Sequence, residues 1–381
     1  VPARDDPRFG PVPLPEQIKE IRPQQWDVVE QTMEAFNSGD DVVFIEAPTG
    51  AGKSLIAELV RRELKTNAAY CCSTKVLQDQ YVQSFPYGRV IKGRANYWTE
   101  LGKVNEFGQT WNKPYSAITC VDCTWSHVTE ACRWCSYKNT CPYQQAKMQA
   151  FNAELAILNT SYFLTDSQYA AMFRGRGLVV LDEADLVENE VLNQVGIEIS
   201  PQRLNKLGIG PPERKTVAVS WAKWMHNDAL PALEKALSRM IKPWDQGAGP
   251  QDIREYNGMR DLHDKLTKIK PAIAMGNWIY DGYDDDGRVR FTPIMIDGFG
   301  EKKLWPTGEK FILMSATILS ADLMAEDLGL YLPYTSISVP STFPVENRPI
   351  YVCPIADMSF KAKEASQGGT WKEMVLGVRA V

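Results

Sequence analysis

The eight residues APTGAGKS (47–54) constrain this chain more than any other segment. They follow an apolar run, VVFIE (42–46), and lead into SLIAELVRREL, whose apolar residues recur at helical spacing. A glycine-rich loop leaving a strand and opening a helix aims consecutive backbone N–H groups and a helix dipole at an anion. Gly50 and Gly52 let the backbone come close to phosphates. Lys53 supplies a point charge for the β/γ-phosphates, and the Ser54 hydroxyl suits Mg2+. Pro48, Thr49 and Ala51 complete the cradle, with Ala47 where the motif has its first glycine.

Two further segments belong with this loop. LVVLDEAD (178–185) is a buried-type strand with carboxylates at its C-terminal end. There Asp182 is placed to hold Mg2+ and Glu183 to polarise an attacking water. MSATI (314–318) follows another apolar strand, and Ser315 and Thr317 offer small hydroxyls to the γ-phosphate side. Between these segments strands alternate with helices. NAAYCCST reads as a strand and KVLQDQYVQSF as a helix; 142–152 reads as a helix, and 154–158, 178–185 and 311–317 as strands. That alternation implies an α/β fold, a parallel sheet with helices on both faces. A helix is also expected over about 15–38, with Ile18, Ile21, Trp26, Val29 and Met33 inward and Pro23 as a possible break.

The alternation fails twice. Residues 92–147 hold four of the 11 tryptophans and five of the eight cysteines, with seven Lys/Arg against four Asp/Glu in a chain of net charge −5. The cysteines (Cys120, Cys123, Cys132, Cys135 and Cys141) follow the spacing C-x2-C-x8-C-x2-C-x5-C. Clustering in a long chain without a secretory leader points to metal rather than to disulfides. The spacing suits tetrahedral zinc or an iron–sulfur cluster and does not separate them. The second break, 190–300, carries two long helical patterns, about 215–241 and 251–270, and a polar hairpin near YDGYDDDGRVRF. No apolar run reaches a membrane-spanning length, so a chain working inside the cell, away from membranes, is expected.

In order and spacing, these segments resemble superfamily 2 helicases, and more narrowly the XPD/DinG family of iron–sulfur DNA helicases. The match rests on Arg22 and Gln25 in IRPQQ, EAPTGAGKS, STKVLQDQ, GRANYW (93–98), the cysteine module ending CPYQQAK, ILNTSYFL (157–164), LDEAD and MSATI, over about residues 15–350. The resemblance implies a RecA-like motor domain in three pieces, 1–91, 148–189 and 301–345. It makes 92–147 an iron–sulfur insertion, 190–300 an arch-like helical insertion, and 346–381 the lead-in to a second motor domain. It implies ATP and Mg2+ as cofactors, with Arg22 and Gln25 added to the nucleotide site, and a 4Fe-4S cluster on the cysteines, zinc being the alternative. Cys141 is then the safest ligand. The sequence departs from the family in having DEAD for DEAH and Thr99 where many members have the first cluster cysteine, and no second motor domain or QxxGRxxR-like motif is found.

The implied activity is ATP-dependent, 5′ to 3′ translocation on single-stranded DNA by a monomeric motor, opening duplexes, forks or R-loops. The implied setting is the cytoplasm or nucleoid, or the nucleus of a eukaryote. Such a motor needs phosphate contacts and stacking platforms rather than base readout. Thr74 and Lys75, Arg94, Asn96 and Tyr97, and Asn159 and Tyr162 are the expected DNA contacts. Trp111, Trp125 and Trp134 could stack on bases or simply pack the small module. Two other readings compete: a nucleotide-switched DNA-binding module with little turnover, and a P-loop ATPase acting on protein with a zinc-binding docking module.

Overall fold

The structure, a computed structural model, describes residues 1–97, 120, 139–214, 217–241, 250–274, 278–281, 287–341, 357, 359–365 and 369–380. Cys123, Cys132, Cys135, Thr99 and the tryptophans at 98, 111, 125 and 134 lie outside these. The chain divides into Val1–Pro340 and Ser341–Val381.

In the first unit, helix α1 (Pro23–Asn37) precedes strand β1 (Val42–Glu46) and helix α2 (Lys53–Glu63). Strand β2 (Ala68–Cys72), helix α3 (Lys75–Ser84) and the two-residue strand β3 (Arg89–Val90) follow. Next come α4 (Pro142–Asn152), β4 (Leu155–Asn159), α5 (Thr160–Tyr169), β5 (Arg176–Asp182) and α6 (Val187–Val195). After an inserted region, β9 (Gly308–Ser315), α11 (Ala321–Asp327) and β10 (Tyr334–Ser338) return to the main sheet. Seven strands lie in the order β10-β1-β9-β5-β2-β4-β3, every pairing parallel.

Alternation along the strands divides the core in two. Val43 and Ile45 of β1 pack with α1, α2 and α3, through Val29, Ile56, Leu59 and Tyr81. Val42 and Phe44 face the other layer, with Phe163 of α5, Val191 of α6 and Ala325 of α11. Burying one such side chain contributes about 1.5–3 kcal/mol, so strands apolar on both faces stay inside the sheet.

The inserted region has a core of its own. Strand β6 (Ile197–Ile199) and helices α7 (Pro201–Leu207), α8 (Ala218–Trp224), α9 (Leu230–Ile241) and α10 (Pro250–Ala274) lead to β7 (Trp278–Asp281) and β8 (Val289–Pro293). The three strands form a separate antiparallel sheet, β6-β8-β7. Trp221 packs edge-on against Trp224 and Phe291, at centroid distances of 5.5 and 5.3 Å. A π-turn over Met225–Ala229 joins α8 to α9, so the helical pattern expected from 215 to 241 carries one extra residue of bulge. The second unit contains α12 (Phe360–Ala365) and α13 (Gly369–Ala380).

The helix expected from about residue 15 begins instead at Pro23. Arg22, with φ −71° and ψ 143°, is extended, as a residue before proline is driven to be. Pro23 therefore starts the helix at its first position, where its missing N–H costs nothing, rather than breaking it.

Candidate active site

Strands β1, β9 and β5 are neighbours, and each ends in one of the motifs read from the sequence. The loop 47–52 leaves β1, Asp182 ends β5 and Ser315 ends β9. The carboxyl ends of parallel strands are where open α/β sheets hold ligands.

The loop has the backbone that phosphate binding needs. Gly50 and Gly52 sit at φ 84° and 89°, and Gly52 caps α2. Lys53 Nζ donates to the Ala47 carbonyl at 3.3 Å, folding the ammonium back over the loop. Pro48 is half-buried, Thr49 is exposed and Ala51 is buried. Arg22 and Gln25 hold the loop from the side of α1. Arg22 Nη2 donates to the carbonyls of Gly50 and Ala51 at 3.0 and 2.9 Å, and Gln25 Nε2 donates to Ala51 O at 3.0 Å. Gln25 Oε1 in turn accepts from the Arg22 N–H at 3.0 Å. Both residues thus shape the loop backbone itself.

The acidic end of β5 is buried and organised. Burial is the main reason the Asp182 carboxyl lies above its ordinary range, opposed by a hydrogen bond from Tyr70 and by the charge of Lys53. Tyr70 Oη donates to Asp182 Oδ2 at 2.8 Å and lies 3.4 Å from Ser54 Oγ. Glu183 is also raised, by burial and then by the neighbouring Asp182. Its backbone is left-handed, φ 53° and ψ 56°, a conformation that costs a non-glycine residue on the order of 1 kcal/mol or more. The strained residue stands directly after Asp182, at the carboxyl end of β5.

Ser315 and Thr317 converge on the last residue of DEAD. Ser315 Oγ donates to Asp185 Oδ1 at 2.6 Å, Thr317 Oγ1 lies 3.4 Å from Oδ2, and Thr317 N–H donates to Ser315 Oγ at 3.2 Å. Tyr70 and Asp185 are site residues that sequence reasoning passed over. Asp185 was visible as the end of DEAD; Tyr70 carried no local signal.

The expected DNA contacts occupy the same edge of the sheet, beyond β2 and β4. Thr74 caps α3 by accepting from Leu77 N–H, and Lys75 is exposed at the helix start. Asn159, at the start of α5, donates to Ser73 O at 3.0 Å and ties the β2 and β4 ends together. Asn96 is exposed and turns back to Gly93 O at 2.8 Å. Arg94 lies over the Tyr143 ring, 5.6 Å from its centroid. Tyr97 and Tyr162 are half-buried. Tyr97 Oη accepts from Lys92 N–H at 3.0 Å, and Tyr162 shares a 3.0 Å hydrogen bond with Tyr143. These two rings are packed around Tyr143 rather than presented as open platforms.

Of the five clustered cysteines, Cys120 and Cys141 are described, and the fold brings them together. The Cys120 N–H donates to Tyr97 O at 2.8 Å, and Cys141 stands immediately before the first turn of α4. The Cys141 thiol is pushed down to about 6 by a hydrogen bond with Cys120, against partial burial, with help from the N–H groups of Gln144 and Tyr143 and from Arg94. A thiol with a lowered pKa at a helix N-terminus is a fit donor for a soft metal centre. Among the described residues no group of three or more metal-ligating side chains occurs.

This architecture defines an α/β domain with a phosphate-loop-type turn between β1 and α2. The chain has the fold of XPD-like superfamily 2 helicases. Residues 18–185 match the family described as type III restriction enzyme, res subunit. A solved XPD helicase shares 15% identity and a TM-score of 0.54 over 84% of this chain and 62% of that one. An apo XPD structure gives 14% and 0.47 over 82% and 57%, and a truncated XPD 15% and 0.47 over 83% and 99%. No curated protein matches the sequence. The chain thus spans about three-fifths of the XPD helicase it matches. Among the described residues no helix is long and apolar enough to cross a membrane.

Proposed function

We propose that this chain is the ATP-binding motor domain of an XPD/DinG-type DNA helicase, coupling ATP hydrolysis to 5′ to 3′ movement on single-stranded DNA. One observation carries the reading: three motif-bearing strands lie side by side, and the next two strands, β2 and β4, end in the expected DNA contacts at the same edge. In this reading Lys53 and the loop N–H groups bind the phosphates, Ser54 and Asp182 hold Mg2+, and Glu183 orients the water. Bound Mg2+ supplies charge neutralisation at the β- and γ-phosphates. Asp185, held by Ser315 and Thr317, links the β5 and β9 ends, so a change at the γ-phosphate side is felt by both.

Thr74, Lys75, Arg94 and Asn96 supply the phosphate contacts, and Asn159 braces the strand ends behind them. Residues 92–147 form an iron–sulfur module with Cys120 and Cys141 among the ligands, and 190–300 an arch over the DNA path. Forks, flaps or R-loops are the implied substrates, met as a monomer.

Binding of a fluorescent single-stranded oligonucleotide across a salt series tests the reading. Affinity should fall linearly on a log–log plot, and Lys75→Ala should reduce the slope by about one phosphate contact. Absence of DNA binding at low salt, with nucleotide binding intact, would favour an ATPase that acts on protein.

A further inference from the structure

Resting on the phosphate-site reading above, we propose that Tyr70 is a positioning residue for the metal of that site, its hydroxyl linking Ser54 to Asp182. Tyr70 sits on β2, one strand away from β5 and two from β9. Its hydroxyl stands within reach of both side chains that would hold Mg2+, 2.8 Å from Asp182 Oδ2 and 3.4 Å from Ser54 Oγ.

The chemistry fits this role. A phenol has one proton, here directed at the Asp182 carboxylate at 2.8 Å, with the Ser54 oxygen as its more distant acceptor at 3.4 Å. Tyr70 gives the Asp182 carboxylate and the Ser54 hydroxyl one fixed point of contact, so both metal-binding groups are oriented before the cation arrives. Partners behind metal ligands fix ligand orientation, and losing one typically weakens metal affinity 10–100-fold.

The ring is held so that the hydroxyl cannot wander. Tyr70 is buried and stacks on Tyr81 of α3, with centroids 3.7 Å apart and planes at 26°. The neighbouring Tyr81 hydroxyl is also buried and, among the described residues, has no hydrogen-bond partner. The two tyrosines therefore form a matched pair: one hydroxyl placed on the site and one not.

The test compares ADP affinity with and without Mg2+ for the wild type, Tyr70→Phe and Tyr81→Phe. Tyr70→Phe keeps the ring and the stack and removes one oxygen. Its ADP affinity in EDTA should equal that of the wild type, while the gain on adding Mg2+ should shrink about tenfold or more. Tyr81→Phe should keep the full gain. An unchanged Mg2+ gain in Tyr70→Phe, or an equal loss with and without Mg2+, overturns the proposal and makes Tyr70 a packing residue. Failure of the wild type to bind ADP at all would instead sink the phosphate-site reading. Should Tyr70→Phe not fold, the tyrosine resonance Raman signature of the wild type decides. It should change on adding Mg·ADP and not on adding ADP in EDTA; identical spectra refute the role.

Discussion

Replacing Gly52 by alanine tests the phosphate loop where it is most tightly built. A Cβ at this position would stand 2.1 Å from Gln25 Nε2 and 3.0 Å from Arg22 Nη2, on a residue with φ +89°. The left-handed backbone alone costs an alanine about 1–2 kcal/mol. The clash adds to this. Gln25 is a flexible side chain, but it is 4% exposed and fastened at both ends, to Ala51 O and to the Arg22 N–H. Moving its amide strands buried polar groups, for about 1–3 kcal/mol. Together Gly52→Ala should destabilise the domain by about 2–5 kcal/mol and abolish nucleotide binding. The sharper reading comes from a double-mutant cycle with Gln25→Ala, followed by urea unfolding. Each single change damages the same contact, and Gln25→Ala removes the atom that the new methyl would strike. The double variant should therefore be less destabilised than the sum of the singles, by at least about 1 kcal/mol. Strict additivity would refute the claim that α1 and the loop meet through Gln25.

Other perturbations follow from the same geometry. Glu58 is fully buried and accepts from Arg61 Nε at 2.8 Å, Arg62 Nε at 2.6 Å and Tyr87 Oη at 2.8 Å. Glu58→Ala strands two buried guanidinium groups and should cost about 3–5 kcal/mol in urea unfolding; a change below about 1 kcal/mol would count against that network. Glu183→Gln should keep Mg·ATP binding in equilibrium titration while reducing single-turnover hydrolysis to background. Cys141→Ser should lose bound metal by elemental analysis, and the wild type, purified without oxygen, should be brown with iron and acid-labile sulfide present; colourless protein holding zinc would reassign the module. Asp185→Ala removes the partner of Ser315 and Thr317 and should lower hydrolysis more than ADP affinity, read as separate rate and binding measurements.

Much of the main sheet was legible because its strands are apolar on both faces. VVFI, LVVL and FILM each announce a buried strand, and each runs into a chemically marked turn. What escaped were elements whose stability comes from neighbours. β3 is two residues long, and β10 (YTSIS) is an edge strand of mixed polarity that pairs with β1 in full register. β6 is a three-residue strand that exists through its pairing with β8. The apolar spacing of Ile18 and Ile21 continues that of α1 and predicts a longer first helix, whereas Arg22 must be extended before Pro23. In the site, Lys53, Asp182, Glu183, Ser315 and Thr317 could be placed from local motifs. Tyr70 could not, since its partner Asp182 is 112 positions away and a tyrosine in an apolar strand has no distinguishing pattern. The Cys120–Cys141 contact needed the fold, because spacing gives candidates and not neighbours.

The central claim is that one edge of this sheet carries both a nucleotide site and a DNA site. Parallel titrations of Mg·ADP and a single-stranded oligonucleotide, on the wild type and on Lys53→Ala, test it most directly. Both ligands should bind the wild type, and Lys53→Ala should lose ADP while keeping DNA affinity within about twofold, because it removes the phosphate cation and leaves Lys75 and Arg94 in place. Undiminished ADP binding by Lys53→Ala, or a wild type that ignores DNA at low salt, would contradict the account.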